Sequence, residues 1–183
     1  MIVTLIRHAE SQSQTQENHD LTNPDLSTAG EAQAAMLAKI PAVKYDEIWV
    51  SPLSRTAHTF RLSRFSAPVI KYDSRLLEFW FPEQYFAHFP IELPDVALAD
   101  TYHAWAKDSE ERVESVIQNL KELNMEHICL FTHQAWIRSF LDKLFPEEYP
   151  MTGKIEIDNC SRTIVQLNEM KSKVIEMKRL CEK

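Results

Sequence analysis

Three short segments carry the side chains best suited to chemistry on a charged substrate. Arg7-His8-Ala9-Glu10-Ser11 follows an apolar run at residues 1–6. Ser51-Pro52-Leu53-Ser54-Arg55-Thr56 closes a second strand-like stretch, and Thr132-His133-Gln134 closes a third apolar run at 127–132. An imidazole with a reference pKa near ~6.5 is neutral enough at cellular pH to act as a nucleophile. The planar guanidinium fork suits the oxygens of a phosphate. Two histidines and two arginines meeting at one place would attract an oxyanion and offer it an attacking atom.

Whether they meet depends on the elements that carry them. Residues 1–6, 45–51, 69–72 and 127–132 read as strands, and 161–168 and 173–180 as two more around a turn at 169–172. Residues 9–27 are polar and aperiodic and read as a loop. Thr28 and Glu31 have capping-box spacing before the helical apolar positions Ala32, Ala35, Met36 and Ile40. Further helices are expected from Pro52 to about Arg64, from Ser109 along Val113, Val116, Ile117 and Leu120, and through Ile137, Phe140, Leu141 and Leu144. Strands alternating with helices predict a three-layer α/β/α sandwich, a mostly parallel sheet with helices on both faces. In such sheets sites form at the carboxyl ends of strands, where helix N-termini face anions. All three segments lie at strand ends of that kind.

Residues 78–107 break the pattern. They hold Pro82, Pro90 and Pro94 among Phe79, Trp80, Phe81, Tyr85, Phe86, Phe89, Tyr102 and Trp105, without a period. An irregular aromatic-rich insertion packed on the sheet ends is expected there, within a single domain spanning 1–183. With Trp136, these aromatics suggest a pocket with apolar walls.

Composition excludes several alternatives. Only two glycines are present, Gly30 and Gly153, so neither a Walker A loop nor a GxGxxG fingerprint is available. The three cysteines have no CxxC spacing, which argues against a zinc knuckle or disulfide framework, and Cys129 reads as a core residue. No cysteine stands at the spacing before an arginine that cysteine phosphatases need. No Asp-x-Asp, HxH or HExxH spacing occurs either, so no metal site and no cofactor are expected. A net charge of −7 disfavours nucleic acid as a partner. No apolar run reaches the ~20 residues of a membrane span. A cytoplasmic location is expected.

The ordered motifs resemble those of the histidine phosphatase superfamily, the phosphoglycerate mutase-like group. Leu5-Ile6-Arg7-His8-Ala9-Glu10-Ser11 looks like its signature. Leu26-Ser27-Thr28-Ala29-Gly30-Glu31-Ala32-Gln33-Ala34 and Ser51-Pro52-Leu53-Ser54-Arg55-Thr56 with Thr59 follow in the family's order. So do Leu76-Leu77-Glu78, Phe131-Thr132-His133 with Ile137-Arg138, and Asn159-Cys160-Ser161. The departures are Ala9 and Gln134 where glycine is usual, Gln14 where asparagine is common, and Phe79-Trp80-Phe81-Pro82 in place of a Gly-x-Trp-Glu-Gly run.

The resemblance implies roles. His8 would be the nucleophile and become transiently phosphorylated. Arg7, Arg55 and His133 would hold the phosphoryl oxygens, and Glu78 would protonate the leaving oxygen and then deprotonate water. Ser11, Gln14 and Gln134 would line the substrate. One antiparallel strand is implied at a sheet edge. The expected activity is metal-independent hydrolysis of a phosphate monoester, on a phosphorylated small molecule or a phosphoprotein. The alternatives are a phosphohistidine protein phosphatase, a phosphoglycerate mutase-like phosphotransferase and a non-catalytic phospholigand-binding domain. His19, His58, His88, His103 and His127 are read as ordinary surface or core residues.

Overall fold

The computed structural model describes residues 1–15, 23–79, 101–150, 155–168 and 171–180, with residues 101–107 as backbone only. Six strands form one sheet in the order β3-β2-β4-β1-β5-β6. They are β1 (Ile2–Arg7), β2 (Glu47–Val50), β3 (Val69–Tyr72), β4 (His127–Thr132), β5 (Ser161–Gln166) and β6 (Lys173–Arg179). Helices α1 (Thr28–Leu37), α2 (Ser54–Ser63), α3 (Thr101–Glu122) and α4 (Gln134–Leu144) connect them.

Strands β1 and β4 are apolar on both faces because both faces are covered. Val3, Leu5, Trp49, Ile128 and Leu130 pack with Val113, Val116, Leu120, Trp136 and Phe140 of α3 and α4. Ile6, Ile48, Val50, Cys129 and Phe131 point the other way, onto Ala34 and Leu37 of α1 and Phe60 of α2. This alternation along each strand gives the expected three layers, with Cys129 fully buried in the core.

The parallel strands are β3, β2, β4 and β1. Strand β5 runs antiparallel to β1, and β6 antiparallel to β5. The single reversed strand is therefore not at an edge, as the family resemblance implied. The hairpin formed by β5 and β6 adds one more strand outside it.

Two other expectations need correction. The α1 cap is Ser27, one residue before the capping-box reading, and its Oγ accepts from the Gly30 N–H at 3.0 Å. Thr28 instead begins the helix. Helix α3 starts at Thr101, so the last part of the expected irregular segment 78–107 is helical. The expected irregularity at 80–100 lies outside the described residues. In the loop after β1, Gln12–Gln14 form a short 3-10 turn, and Ser11 bridges to Leu26.

Candidate active site

The order of the strands brings the three chemical segments together. Arg7 is opposite Thr132 in the β1–β4 register, and the His8 N–H donates to the Thr132 carbonyl at 3.0 Å. His8 and His133 are thus one residue beyond a matched pair of strand ends, and their rings are 5.1 Å apart. On the other side of β4, the Ser51 N–H donates to the Phe131 carbonyl, which brings the end of β2 alongside. From here the chain leaves β1 towards β2 but leaves β4 towards β5. That divergence opens a crevice at the carboxyl ends.

Arg55 reaches the crevice from the first turn of α2. Its side chain is buried, and its Nε donates to His8 Nε2 at 3.3 Å. Thr59, one turn on, accepts from the Ala9 N–H at 3.0 Å and donates to the Arg55 carbonyl at 2.6 Å. The helix carrying Arg55 is thereby tied to the residue after His8. From α1, Gln33 accepts from the Glu10 N–H and Ser27 donates to the Glu10 carboxylate. A Cβ on Gly30 would lie 1.9 Å from the Glu10 carbonyl oxygen, so this contact admits only glycine.

His8 is oriented by its own backbone. Its Nδ1 lies 2.6 Å from the Ala9 carbonyl, which can only accept, so Nδ1 carries the proton and Nε2 keeps its lone pair. The His8 carbonyl is held in turn by Asn159 Nδ2 at 3.0 Å and the Cys160 N–H at 3.3 Å. Cys160 adopts a left-handed backbone (φ 53°) to make the turn into β5. Burial, then Arg55 and Arg7, pushes the His8 pKa well below its ordinary value. His133 is pushed the same way by burial and the same arginines. Both imidazoles are neutral at cellular pH. His133 Nε2 faces Ser51 Oγ at 2.9 Å and Thr56 Oγ1 at 3.3 Å.

Two buried nitrogens at this site, Arg7 Nε and His133 Nδ1, have no hydrogen-bond partner among the described residues. Arg7 is otherwise anchored by Nη1 to the Ile157 carbonyl. Buried polar groups rarely go unpaired, and an incoming acceptor would satisfy both.

Glu78 completes the cluster. Ligand-type atoms of His8, Glu78 and His133 all lie within 4.8 Å of one another. The Glu78 carboxylate accepts from the Phe79 N–H at 3.0 Å and from the Trp136 N–H in the first turn of α4. Burial still raises its pKa above the usual carboxylate value, against the pull of Arg55 and Arg7. Among the described residues, the same three form a group whose spacing could hold a metal ion. Two guanidiniums beside them disfavour a cation, and the His8 lone pair already faces one of those guanidiniums.

The expected core set, Arg7, His8, Arg55, Glu78 and His133, converges. The expected substrate contacts Ser11, Gln14 and Gln134 lie in the segments that follow His8 and His133. Ser11 Oγ is engaged by Gln14 and Ser13; Gln14 Oε1 accepts from Ser11 and from Asn159 Nδ2, and its Nε2 donates to Asn159 Oδ1. Gln134 opens α4, partly exposed, directly after His133. Trp136 is no pocket wall: it is fully buried, stacks on Phe140 and donates to the Arg75 carbonyl. Sequence reasoning assigned no role to Ser51, Thr56, Thr59 or Asn159. The first three are the small hydroxyl residues around Arg55 in its motif, and that was the available signal.

Residues 3–179 match the histidine phosphatase superfamily (branch 1). The chain belongs to that superfamily. A candidate phosphoserine phosphatase of Hydrogenobacter thermophilus (phosphoserine phosphatase 2) is 24% identical over 194 residues, covering 97% of this chain and 95% of that one. The α-ribazole phosphatase of Shigella flexneri superposes with a TM-score of 0.73 at 21% identity, covering 99% and 98% of the two chains. The phosphoserine phosphatase of Entamoeba histolytica, solved with 3-phosphoglyceric acid, gives 0.66 at 19%, covering 96% and 95%. These structural likenesses show that the superfamily's fold is shared. Among the described residues no helix is long and apolar enough to cross a membrane.

Proposed function

We propose that this chain hydrolyses a phosphate monoester of a small metabolite through a phosphohistidine on His8, without a metal. The observation that carries the reading is a pair of buried nitrogens without a partner among the described residues, Arg7 Nε and His133 Nδ1, beside the His8 lone pair. Phosphoryl transfer asks a protein mainly to position the reactants and neutralise the equatorial oxygens. Arg7, Arg55 and His133 supply that neutralisation. His133 can donate from Nδ1 when its Nε2 accepts from Ser51 or Thr56.

In the first step His8 Nε2 bonds to phosphorus as the P–O bond to the leaving group breaks. Arg55 keeps its proton and redirects its Nε–H hydrogen bond from His8 to a phosphoryl oxygen. Glu78, its pKa raised by burial, gives its proton to the leaving oxygen. In the second step the Glu78 carboxylate takes a proton from water, the water oxygen bonds to phosphorus, and the N–P bond returns its electrons to His8. The names of relatives that act on α-ribazole phosphate and phosphoserine support a small phosphorylated substrate. Trp136 lies in the core, so the expected preference for apolar esters rests on the aromatics of residues 79–105, most of which lie outside the described residues.

Trapping tests this reading. Labelled substrate quenched on the wild-type protein should leave an acid-labile, base-stable adduct, and His8→Ala should leave none. Activity on an aryl phosphate should survive EDTA. A covalent adduct on the His8→Ala protein, or EDTA inactivation reversed by a divalent ion, would overturn it.

A further inference from the structure

We propose that Arg112 of α3 is a positioning residue for Glu78, gripping the chain on both sides of that carboxylate. This rests on the reading of Glu78 as proton donor. The Arg112 side chain is 13% exposed, low for an arginine on a helix. Its Nη1 donates to the Leu77 carbonyl at 3.1 Å, one residue before Glu78. Its guanidinium lies over the Phe79 ring, 5.8 Å from the centroid, one residue after Glu78. The remaining edges are fixed within its own helix, Nε to Asp108 at 3.1 Å and Nη2 to Ser109 Oγ at 2.9 Å. Its charge also attracts the Glu78 carboxylate, and burial among these groups lowers its own pKa.

Among the described residues of α3, Arg112 is the side chain that bonds the backbone beside Glu78. The neighbouring Arg75 is bound to Asp73, Ser115 and Asn119 and fixes the start of the turn. Arg112 fixes its end. A planar fork can take a carbonyl at its edge and a ring on its face together; a lysine ammonium cannot. Losing the grip would let the carboxyl drift from the leaving oxygen, and a misplacement of about 1 Å can cost about 10²-fold. The nucleophile half, built on the ends of β1 and β4, would keep its geometry and lose only the distant charge of Arg112 at His133.

The test compares kcat on an alkyl phosphate and on nitrophenyl phosphate. The nitrophenolate needs little protonation and the alkoxide needs much. Arg112→Gln should lower alkyl turnover by about 10²-fold and nitrophenyl turnover little. Arg112→Lys should restore only part of the loss, and Glu78→Gln/Arg112→Gln should be no worse than Glu78→Gln alone. If Arg112→Gln fails to fold, Asp108→Asn reads the same grip from the surface and should shift the same substrate ratio less. Equal losses on both substrates, or an unchanged ratio, while Glu78→Gln still discriminates between them, would overturn the role of Arg112 alone. No discrimination by Glu78→Gln itself would remove the acid assignment and this proposal with it.

Discussion

His8 and His133 lie one residue beyond the ends of two paired strands, whereas Glu78 follows a 3-10 turn (Ser74–Leu76) that no strand pairing extends. Strand register fixes the first pair to within the tolerance of backbone hydrogen bonds. Glu78 depends on side chains from elsewhere. Thr132 donates to the Leu76 carbonyl, Trp136 to the Arg75 carbonyl, and Arg112 to the Leu77 carbonyl. The site therefore has a half specified by backbone pairing and a half specified by side-chain clamps. Damage to the first should strike chemistry on every substrate; damage to the second should depend on the leaving group.

The largest effect that would break this contrast comes from Glu78→Gln. Loss of general acid help typically costs ~10²–10⁴-fold. That loss should fall on alkyl phosphates and largely spare nitrophenyl phosphate in steady-state kinetics. Equal losses would remove Glu78 as the acid. A smaller effect sharpens the other half. Ser51→Ala removes one hydrogen bond to His133 Nε2 while Thr56 Oγ1 remains. A net hydrogen bond is worth about 0.5–1.5 kcal/mol, so kcat/KM should fall roughly tenfold or less, equally for both substrates. A leaving-group-dependent loss would mean that His133 shares the acid's task.

The smallest effect is on stability, where the two halves have opposite signs. His8 and His133 have folded pKa values below the unfolded 6.5. Their contribution is complete above 6.5 and is lost as pH falls below it, because the unfolded chain then binds protons that the folded one does not. Glu78 has a folded pKa above the unfolded 4.5. Its contribution is complete below 4.5 and is lost as pH rises through the folded value. Urea midpoints at neutral pH should therefore rise for Glu78→Gln. His133→Asn should flatten the decline between neutral and mildly acidic pH. A lower midpoint for Glu78→Gln would show that its hydrogen bonds outweigh its desolvation.

The same contrast explains what could be read from the sequence. β1 and β4 announce themselves as apolar runs ended by Arg7-His8 and Thr132-His133, and a parallel sheet then places the ends together. The α3 boundary at Thr101 was hidden because the aromatics and prolines before it have no period. The reversed strand β5 has the same apolar alternation in either direction, so its place inside the edge was not legible. Arg112 stands beside the stripe of Val113, Val116 and Leu120, and its i,i+4 spacing from Asp108 reads as an ordinary surface pair. Residues that act through the backbone of a distant turn leave little trace in spacing.

The contacts that hold the reactive imidazole also set when it can exist. Arg55 comes from 47 residues along the chain and Asn159 from 151. Parallel neighbours such as β1 and β4 cannot form through a local hairpin, so their pairing waits on a long loop closure. A nascent chain that has emerged only as far as β4 still lacks the Asn159–Cys160 turn that braces the His8 carbonyl. In refolding, helix content should accordingly return before turnover does, and turnover should return with the docking of the β5–β6 hairpin against β1.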